Sequence, residues 1–394
     1  MAYILAMSFT RLLQLPDRGS CLLLGPRQTG KSTLVRGALP EGAAVFDLLE
    51  HDTFLRFARD PSLFRREVIE HVQGGAKIVF VDEVQRVPAL LDEVHGLIEK
   101  RVARFVLTGS SARRLRRGGA NLLAGRARML RLHPLVLREV GARFDLERVL
   151  RLGTLPAVLA ADDDEEAAEL LRAYAETYLR EEIQAESLVR NLGGFARFLD
   201  IAAAQSGDVL NYSAVGRDAG LPVRTVQEYF QILEDTLVGF RLEPWRTSAR
   251  ARLTGHPRFY LFDVGVRNAI VRRLGAGVDP QVRGRLFEHL IVLECARALD
   301  YARSEARLHF WRTKNGAEVD LLVERHGRLR LAIEIKSTRT ISGADLSGLR
   351  SFAEEHPEVP RIVVCDAIRA HALGDVRVVP WRSFLMNIDE WLAR

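Results

Sequence analysis

Short unbroken apolar runs alternate with helical spacing over the first 150 residues. Cys21-Leu22-Leu23-Leu24 is one such run. Lys77-Ile78-Val79-Phe80-Val81 is a second and ends in Asp82-Glu83. Arg104-Phe105-Val106-Leu107 is a third and ends in Thr108-Gly109-Ser110-Ser111. Runs of this length without polar alternation fit strands of a parallel sheet covered on both faces. With helical patterns between them, they predict a doubly wound α/β domain over residues 1–150.

The pattern then changes. Asp162-Asp163-Asp164-Glu165-Glu166 precedes a long helical pattern from about 165 to 192 and reads as a helix cap at a domain boundary. Asn211–Leu221 gives a short helix ended by Gly220. Pro222–Leu233 gives a second, with Val226, Tyr229, Phe230 and Leu233 on one face. Two short helices about a glycine turn resemble a helix-turn-helix, and the runs Val238–Leu242 and Arg258–Phe262 look like a following β-wing. Residues 151–262 are thus expected to form a helical and winged-helix domain. After 262 come a helix at Arg285–Glu294, a strand at Glu318–Val323 and a second strand at Leu329–Lys336. In that second strand Leu331, Ile333 and Ile335 share one face and Glu334 and Lys336 the other. Residues 263–394 are expected to form a third domain, also α/β.

The totals fit this division. A chain of 394 residues holds two or three domains. Its hydrophobic content of 47% supports full cores. No apolar span is long enough to cross a bilayer, so no membrane partner is expected. The opening MAYILAMSFTRLLQL lacks a basic segment followed by a cleavage site and predicts no signal peptide. Cys21, Cys295 and Cys365 are scattered in apolar contexts, as reduced core thiols of a cytoplasmic protein would be. The net charge of +6 permits an acidic partner such as nucleic acid. Basic residues are almost all Arg; the lysines are Lys31, Lys77, Lys100, Lys314 and Lys336. A chain that uses Arg nearly everywhere keeps Lys where a compact point charge is needed.

Lys31 is such a place. Gly25-Pro26-Arg27-Gln28-Thr29-Gly30-Lys31-Ser32 fits G-x-x-x-x-G-K-[ST], follows a strand run and opens a helix at Ser32-Thr33. Backbone N–H groups of such a loop turn inward around phosphate oxygens, and the helix N-terminus adds partial positive charge. Residues Gly25 to Thr33 are therefore expected to bind the nucleotide, ATP. Lys31 reaches its β- and γ-phosphates and Ser32 holds Mg²⁺. Asp82 and Glu83 end a strand on the side where α/β sheets bind ligands. Asp82 is expected to support Mg²⁺ and Glu83 to polarise the attacking water. Ser110 or Ser111 would sense the γ-phosphate. In the Arg-dense segment 113–126, Arg126 beside Gly125 is the candidate to complete a neighbouring subunit's site, which calls for a homo-oligomer such as a ring.

Two further constellations carry chemistry. Arg217, Arg224, Thr225 and Gln227 lie about the start of the second short helix, where contact with DNA bases or phosphates is possible. Asp320 with Glu334-x-Lys336 brings two carboxylates and an ammonium together, an oxygen-rich set suited to Mg²⁺ or Mn²⁺. This resembles the PD-(D/E)XK nucleases. Asp320, Glu334 and Lys336 match that motif, and Glu288 matches its preceding helix.

As a whole the chain resembles the bacterial and archaeal AAA-type (AAA_14-like) ATPases that join an N-terminal P-loop domain to a C-terminal DUF4143 region. The likeness covers nearly all 394 residues. Its carriers are GPRQTGKST, IVFVDEVQ, LTGSSARRLRRGGANLLAGRA, PLVLRE at Pro134–Glu139, TVQEYFQILEDT, WRTKNGAEVDLLVE and IEIKST. The resemblance implies an AAA+-like ATPase core, a winged helix and a nuclease-like C-terminal fold. Three roles are open to such a chain: a DNA-associated ATP motor or remodeller, an ATP-driven regulatory switch or scaffold for protein partners, and an ATP-gated, metal-dependent DNA nuclease.

Overall fold

The computed structural model describes residues 9–110, 123, 125–178, 191–245, 256–275 and 277–393. These form two compact units. One holds Thr10–Pro134 with Ile232–Val238. The other holds Phe9, the segment from Leu135 to Gln231, and the chain from Gly239 onward.

The first unit is built on a five-stranded parallel sheet. Its strands are β1 (Ser20–Leu24), β2 (Ala44–Asp47), β3 (Ile78–Asp82), β4 (Arg104–Gly109) and β5 (Ala127–Arg131), in the order β2-β3-β4-β1-β5. All five residues of β1 are buried, as are the last four of β3. Helices Lys31–Ala38, Pro61–Gln73 and Leu90–Glu99 follow β1, β2 and β3 in the chain. Phe46, Phe57 and Phe64 pack edge to face in the core, and the outermost β5 is largely exposed. The order matters for function. β4 lies between β1 and β3, so the hydroxyls at its end fall between the loop after β1 and the acids after β3. The first unit therefore has the parallel α/β architecture expected of a P-loop domain.

The second unit carries an eight-stranded mixed sheet, β12-β13-β11-β10-β9-β8-β6-β7. The strands are β6 (Gly239–Pro244), β7 (Arg258–Leu261), β8 (Arg307–Arg312), β9 (Glu318–Arg325), β10 (Arg328–Lys336), β11 (Arg361–Cys365), β12 (His371–Leu373) and β13 (Val376–Pro380). Leu331, Ile333 and Ile335 of β10 enter one core with residues of the long helix Pro280–Ala302. Ala332 joins the core on the opposite face. Cys21, Cys295 and Cys365 are all buried and outside any disulfide.

Three helices, Leu192–Ala204, Tyr212–Ala219 and Val223–Asp235, precede the antiparallel pair β6–β7. Phe198 meets Phe230 at 4.8 Å and Phe230 meets Phe259 at 4.9 Å, so aromatic rings tie these helices to β7. The turn between the second and third helices passes through Gly220 (φ 66°). The β6–β7 pair is not a free-standing wing. Glu243 and Pro244 pair in parallel with His309 and Phe310 of β8, so the hairpin continues the C-terminal sheet.

The acidic stretch caps a helix, as expected. Asp163 accepts from the N–H groups of Glu165 and Glu166 at the start of Asp164–Ala173. The expected helix over 165–192 starts at Asp164. It passes into a π-helical turn at Tyr174–Tyr178, and a new helix starts at Leu192 under an Asn191 cap. The stretch between, 179–190, lies outside the described residues.

Candidate nucleotide site

The loop after β1 is shaped by two glycines. Gly30 sits in the left-handed region (φ 88°) at the helix N-cap, a conformation that costs an L side chain about 1–2 kcal/mol. At Gly25 an added Cβ would stand 2.3 Å from the Leu132 carbonyl oxygen, because the chain leaving β5 crosses there. Thr29 is fully buried and its hydroxyl donates to the Pro26 carbonyl at 2.9 Å, bracing the loop from within. Arg11 braces it from outside, donating to the carbonyls of Thr29 at 2.7 Å and His133 at 2.6 Å. Lys31 is buried, and its Nζ donates to the carbonyls of Gly25 and Pro26, each at 2.9 Å. Arg27 and Gln28 are half-buried, Ser32 likewise, and Thr33 is exposed.

The acids face this loop. Ser32 Oγ donates to Asp82 Oδ1 at 2.9 Å, and the Thr108 hydroxyl donates to the same oxygen. Arg36 lies 3.9 Å from Asp82 Oδ2 and pairs with Asp47 at 2.7 Å. Glu83 leaves β3 with φ 57° and ψ 46°, a left-handed turn held by its N–H donating to Thr108 Oγ1 at 3.0 Å. Its carboxylate accepts from Gln85 Nε2, which also donates to Ser110 Oγ at 3.0 Å. The loop, Asp82, Glu83 and Ser110 are thus brought together, as the sequence leads one to expect. Ser111 and the Arg-dense segment up to residue 122 lie outside the described residues.

A hydroxyl and a carboxylate oxygen 2.9 Å apart, at the N-terminus of the helix that follows the Gly25–Gly30 loop, fit the hard oxygen donors that Mg²⁺ takes. Ser32 and Asp82 would hold that ion, and bound there it would neutralise phosphate charge. The guanidinium of Arg126 pairs with Glu99, at the end of the helix Leu90–Glu99.

Three participants do not stand out in the sequence: Thr108, Gln85 and Arg11. The signal for Gln85 is its distance from the acids; for Thr108 there is none short of the strand order. Thr108 ends a strand beside β3, and Gln85 stands two residues after Glu83. Nothing in the sequence distinguishes Arg11 from the other arginines.

In the second unit, Glu288, Asp320, Glu334 and Lys336 do gather. Asp320 Oδ2 accepts from the Ile335 N–H at 2.9 Å, and Lys336 Nζ lies 2.5 Å from Glu334 Oε1. Burial, reinforced by Asp320, pushes the Glu288 carboxyl up to about 7 and that of Glu334 up to about 8. Burial likewise raises Asp320. Arg258 enters the same cluster, meeting Glu288 at 2.8 Å, Glu318 at 3.0 Å and Asp320 at 3.7 Å. Among the described residues, no group of three or more His, Cys, Asp or Glu is arranged to hold a metal ion. Arg217, Arg224 and Gln227 are exposed and Thr225 is half-buried; Arg224 pairs with Glu228 one helical turn on at 3.3 Å. Among the described residues no helix is long and apolar enough to cross a membrane.

Comparison with known proteins adds three domain matches. Residues 17–141 match an AAA domain, residues 143–279 a domain of unknown function (DUF8612) and residues 283–384 a domain of unknown function (DUF4143). The uncharacterized protein Rv2008c of Mycobacterium tuberculosis (strain ATCC 25618 / H37Rv) is 30% identical over 329 residues, covering 82% of this chain and 71% of its own. The uncharacterized protein Mb2031c of Mycobacterium bovis matches to the same extent. An uncharacterized protein of Haemophilus influenzae is 20% identical over 307 residues, covering 71% of this chain and 76% of its own. The AAA match makes the first unit an ATPase domain of AAA type. The chain belongs to the family of these mycobacterial proteins, with an AAA domain on its N-terminal side and a DUF4143 domain on its C-terminal side.

Proposed function

We propose that this AAA-type ATPase hydrolyses ATP at the loop Gly25–Thr33 and spends that energy on DNA, as a motor or remodeller. The observation that carries the ATPase part is the meeting of Ser32, Thr108 and Asp82 on one carboxylate oxygen beside the Lys31 loop. In this reading the loop amides and Lys31 grip the phosphates. Lys31 exchanges the Gly25 and Pro26 carbonyls for phosphate oxygens. Ser32 and Asp82 hold Mg²⁺. Glu83 takes the proton of the attacking water. Ser110, tied to Glu83 through Gln85, reports the state of the γ-phosphate. Arg126 acts on a neighbouring copy after leaving Glu99.

The DNA part rests on the order helix, helix, helix, hairpin in residues 192–261, which is that of a winged helix, and on the exposure of Arg217, Arg224 and Gln227 there. A net charge of +6 accords with it. ATPase rates with and without single-stranded, duplex and branched DNA, beside a Lys31→Ala control, test both parts. Stimulation that fades steeply with salt supports the reading. Turnover indifferent to every DNA removes the DNA part, and Lys31→Ala turnover equal to wild type removes the site.

One observation favours a second reading, a slow nucleotide switch for protein partners. Glu83 is not open to water but bonded by Gln85. An acid so held gives slow turnover until something draws Gln85 away.

A further inference from the structure

The carboxylate cluster of the second unit has the residue types of a metal-dependent nuclease centre, but an arginine stands in it. Arg258 is 5% exposed and lies on β7. One of its terminal nitrogens meets Glu288 Oε1 at 2.8 Å and Asp320 Oδ1 at 3.7 Å, and the other meets Glu318 Oε2 at 3.0 Å. The Phe310 ring lies 4.9 Å from its guanidinium carbon and covers it. Tyr260, two residues along the same strand, donates its hydroxyl to Glu288 Oε1 at 2.7 Å.

These contacts use several of the oxygens a cation would need. Asp320 Oδ2 is committed to the Ile335 N–H, and its other oxygen faces Arg258. Glu288 Oε1 takes both Arg258 and Tyr260. A divalent ion must approach carboxylate oxygens to about 2.0–2.6 Å. It would have to do so where a desolvated guanidinium already sits, and two cations cannot share that space. Glu334 Oε2 pulls the other way, being buried without a hydrogen-bond partner, as a metal ligand would be. Its neighbour Oε1 is taken by Lys336. The donor set as it stands does not fit a nuclease metal.

We propose that Arg258 is a built-in cation in the place of the divalent metal, and that the cluster is a metal-free charge lock fastening the β6–β7 hairpin to the Pro280–Ala302 helix and β9. The C-terminal domain then cuts no DNA. Its acids hold the hairpin that follows the three helices in register with the sheet. This does not depend on the ATPase reading.

The test is a Mn²⁺ titration of the nucleotide-free full chain, read by electron paramagnetic resonance, for wild type, Asp320→Asn, Arg258→Met and Arg258→Met/Asp320→Asn. Any ion at Ser32 and Asp82 is common to all four. Wild type and Asp320→Asn are expected to bind equal amounts. Arg258→Met gains one Mn²⁺ per chain, and the double variant loses it again. Extra Mn²⁺ in wild type over Asp320→Asn overturns the proposal. So does a folded Arg258→Met that gains none, or Mn²⁺-dependent DNA cleavage by wild type that Asp320→Asn abolishes. Should Arg258→Met not fold, the wild-type and Asp320→Asn pair decides alone.

Discussion

Ser32 Oγ and Asp82 Oδ1 are 2.9 Å apart although fifty residues separate them in the chain. The parallel sheet makes this possible by ending β1 and β3 on the same side, with β4 between them to supply Thr108. If these two residues hold Mg²⁺, removing the Asp82 carboxylate weakens the ion's hold. Asp82→Asn is expected to keep nucleotide binding and to bind Mg²⁺ more weakly. The Mg²⁺ concentration for half-maximal ATPase should rise about tenfold or more, the worth of one hydrogen bond to a charged group. An unchanged Mg²⁺ requirement would place the ion elsewhere.

Glu83 and Gln85 make a sharper pair of variants. Glu83→Gln keeps size and hydrogen bonding but cannot take a proton. It should lower kcat by about 100-fold or more while ATP still binds. Gln85→Ala frees the Glu83 carboxylate and unlinks it from Ser110. If Gln85 restrains the acid, the rate without DNA rises. A fall instead would mean that Gln85 orients the water together with Glu83. Rates of both variants, measured beside nucleotide affinity, separate these cases.

The phosphate loop and the acid pair were legible because each is contiguous. A strand that must be buried on both faces shows itself as an apolar run, and its polar end is then the ligand side. The interactions between those pieces were not legible. Thr108 meets Asp82 only because β4 inserts between β1 and β3, and strand order is not written in any local pattern. The same holds for β6. The two runs read as a wing suggest its pairing with β7, but its parallel bond to β8 joins residues more than sixty positions apart. Arg258 was hidden differently. In a chain with so many arginines, one more at the start of a strand carries no signal until Glu288, Glu318 and Asp320 surround it. The π turn at Tyr174–Tyr178 was equally silent, since one widened helical turn carries no residue-type signal.

The three-helix region can be examined apart from catalysis. Arg224 has a side chain that is 90% exposed, and its Glu228 partner is exposed as well, so that pair contributes little to stability. Arg224→Ala should leave the melting temperature unchanged. If the helix Val223–Asp235 lies against DNA phosphates, the variant binds duplex more weakly, and the slope of log affinity on log salt falls by about one. Fluorescence anisotropy at several salt concentrations measures that slope. Identical slopes for variant and wild type would take this helix out of the interface.

Glu294 offers a check on stability that does not involve either site. It is buried in the helix Pro280–Ala302, where desolvation pushes its carboxyl up to about 7, against the pull of Arg297 at 3.8 Å. The Leu137 N–H reaches both its oxygens, at 3.3 and 3.2 Å. A folded-state value above the ordinary 4.5 means that the folded chain holds the proton more tightly than the unfolded one. This group's contribution is therefore fully present below pH 4.5 and is lost as pH rises through about 7. Glu294→Gln mimics the protonated form at every pH. It should match wild type at pH 5 and exceed it at pH 8, by at most about 3 kcal/mol, the free energy of a proton affinity raised by this much. Urea unfolding of both proteins at the two pH values reads the difference directly, because the other titrating groups are common to both. A variant less stable than wild type at pH 8 would show that Glu294 is held there as a carboxylate by Arg297, and the direction argued from burial would be wrong.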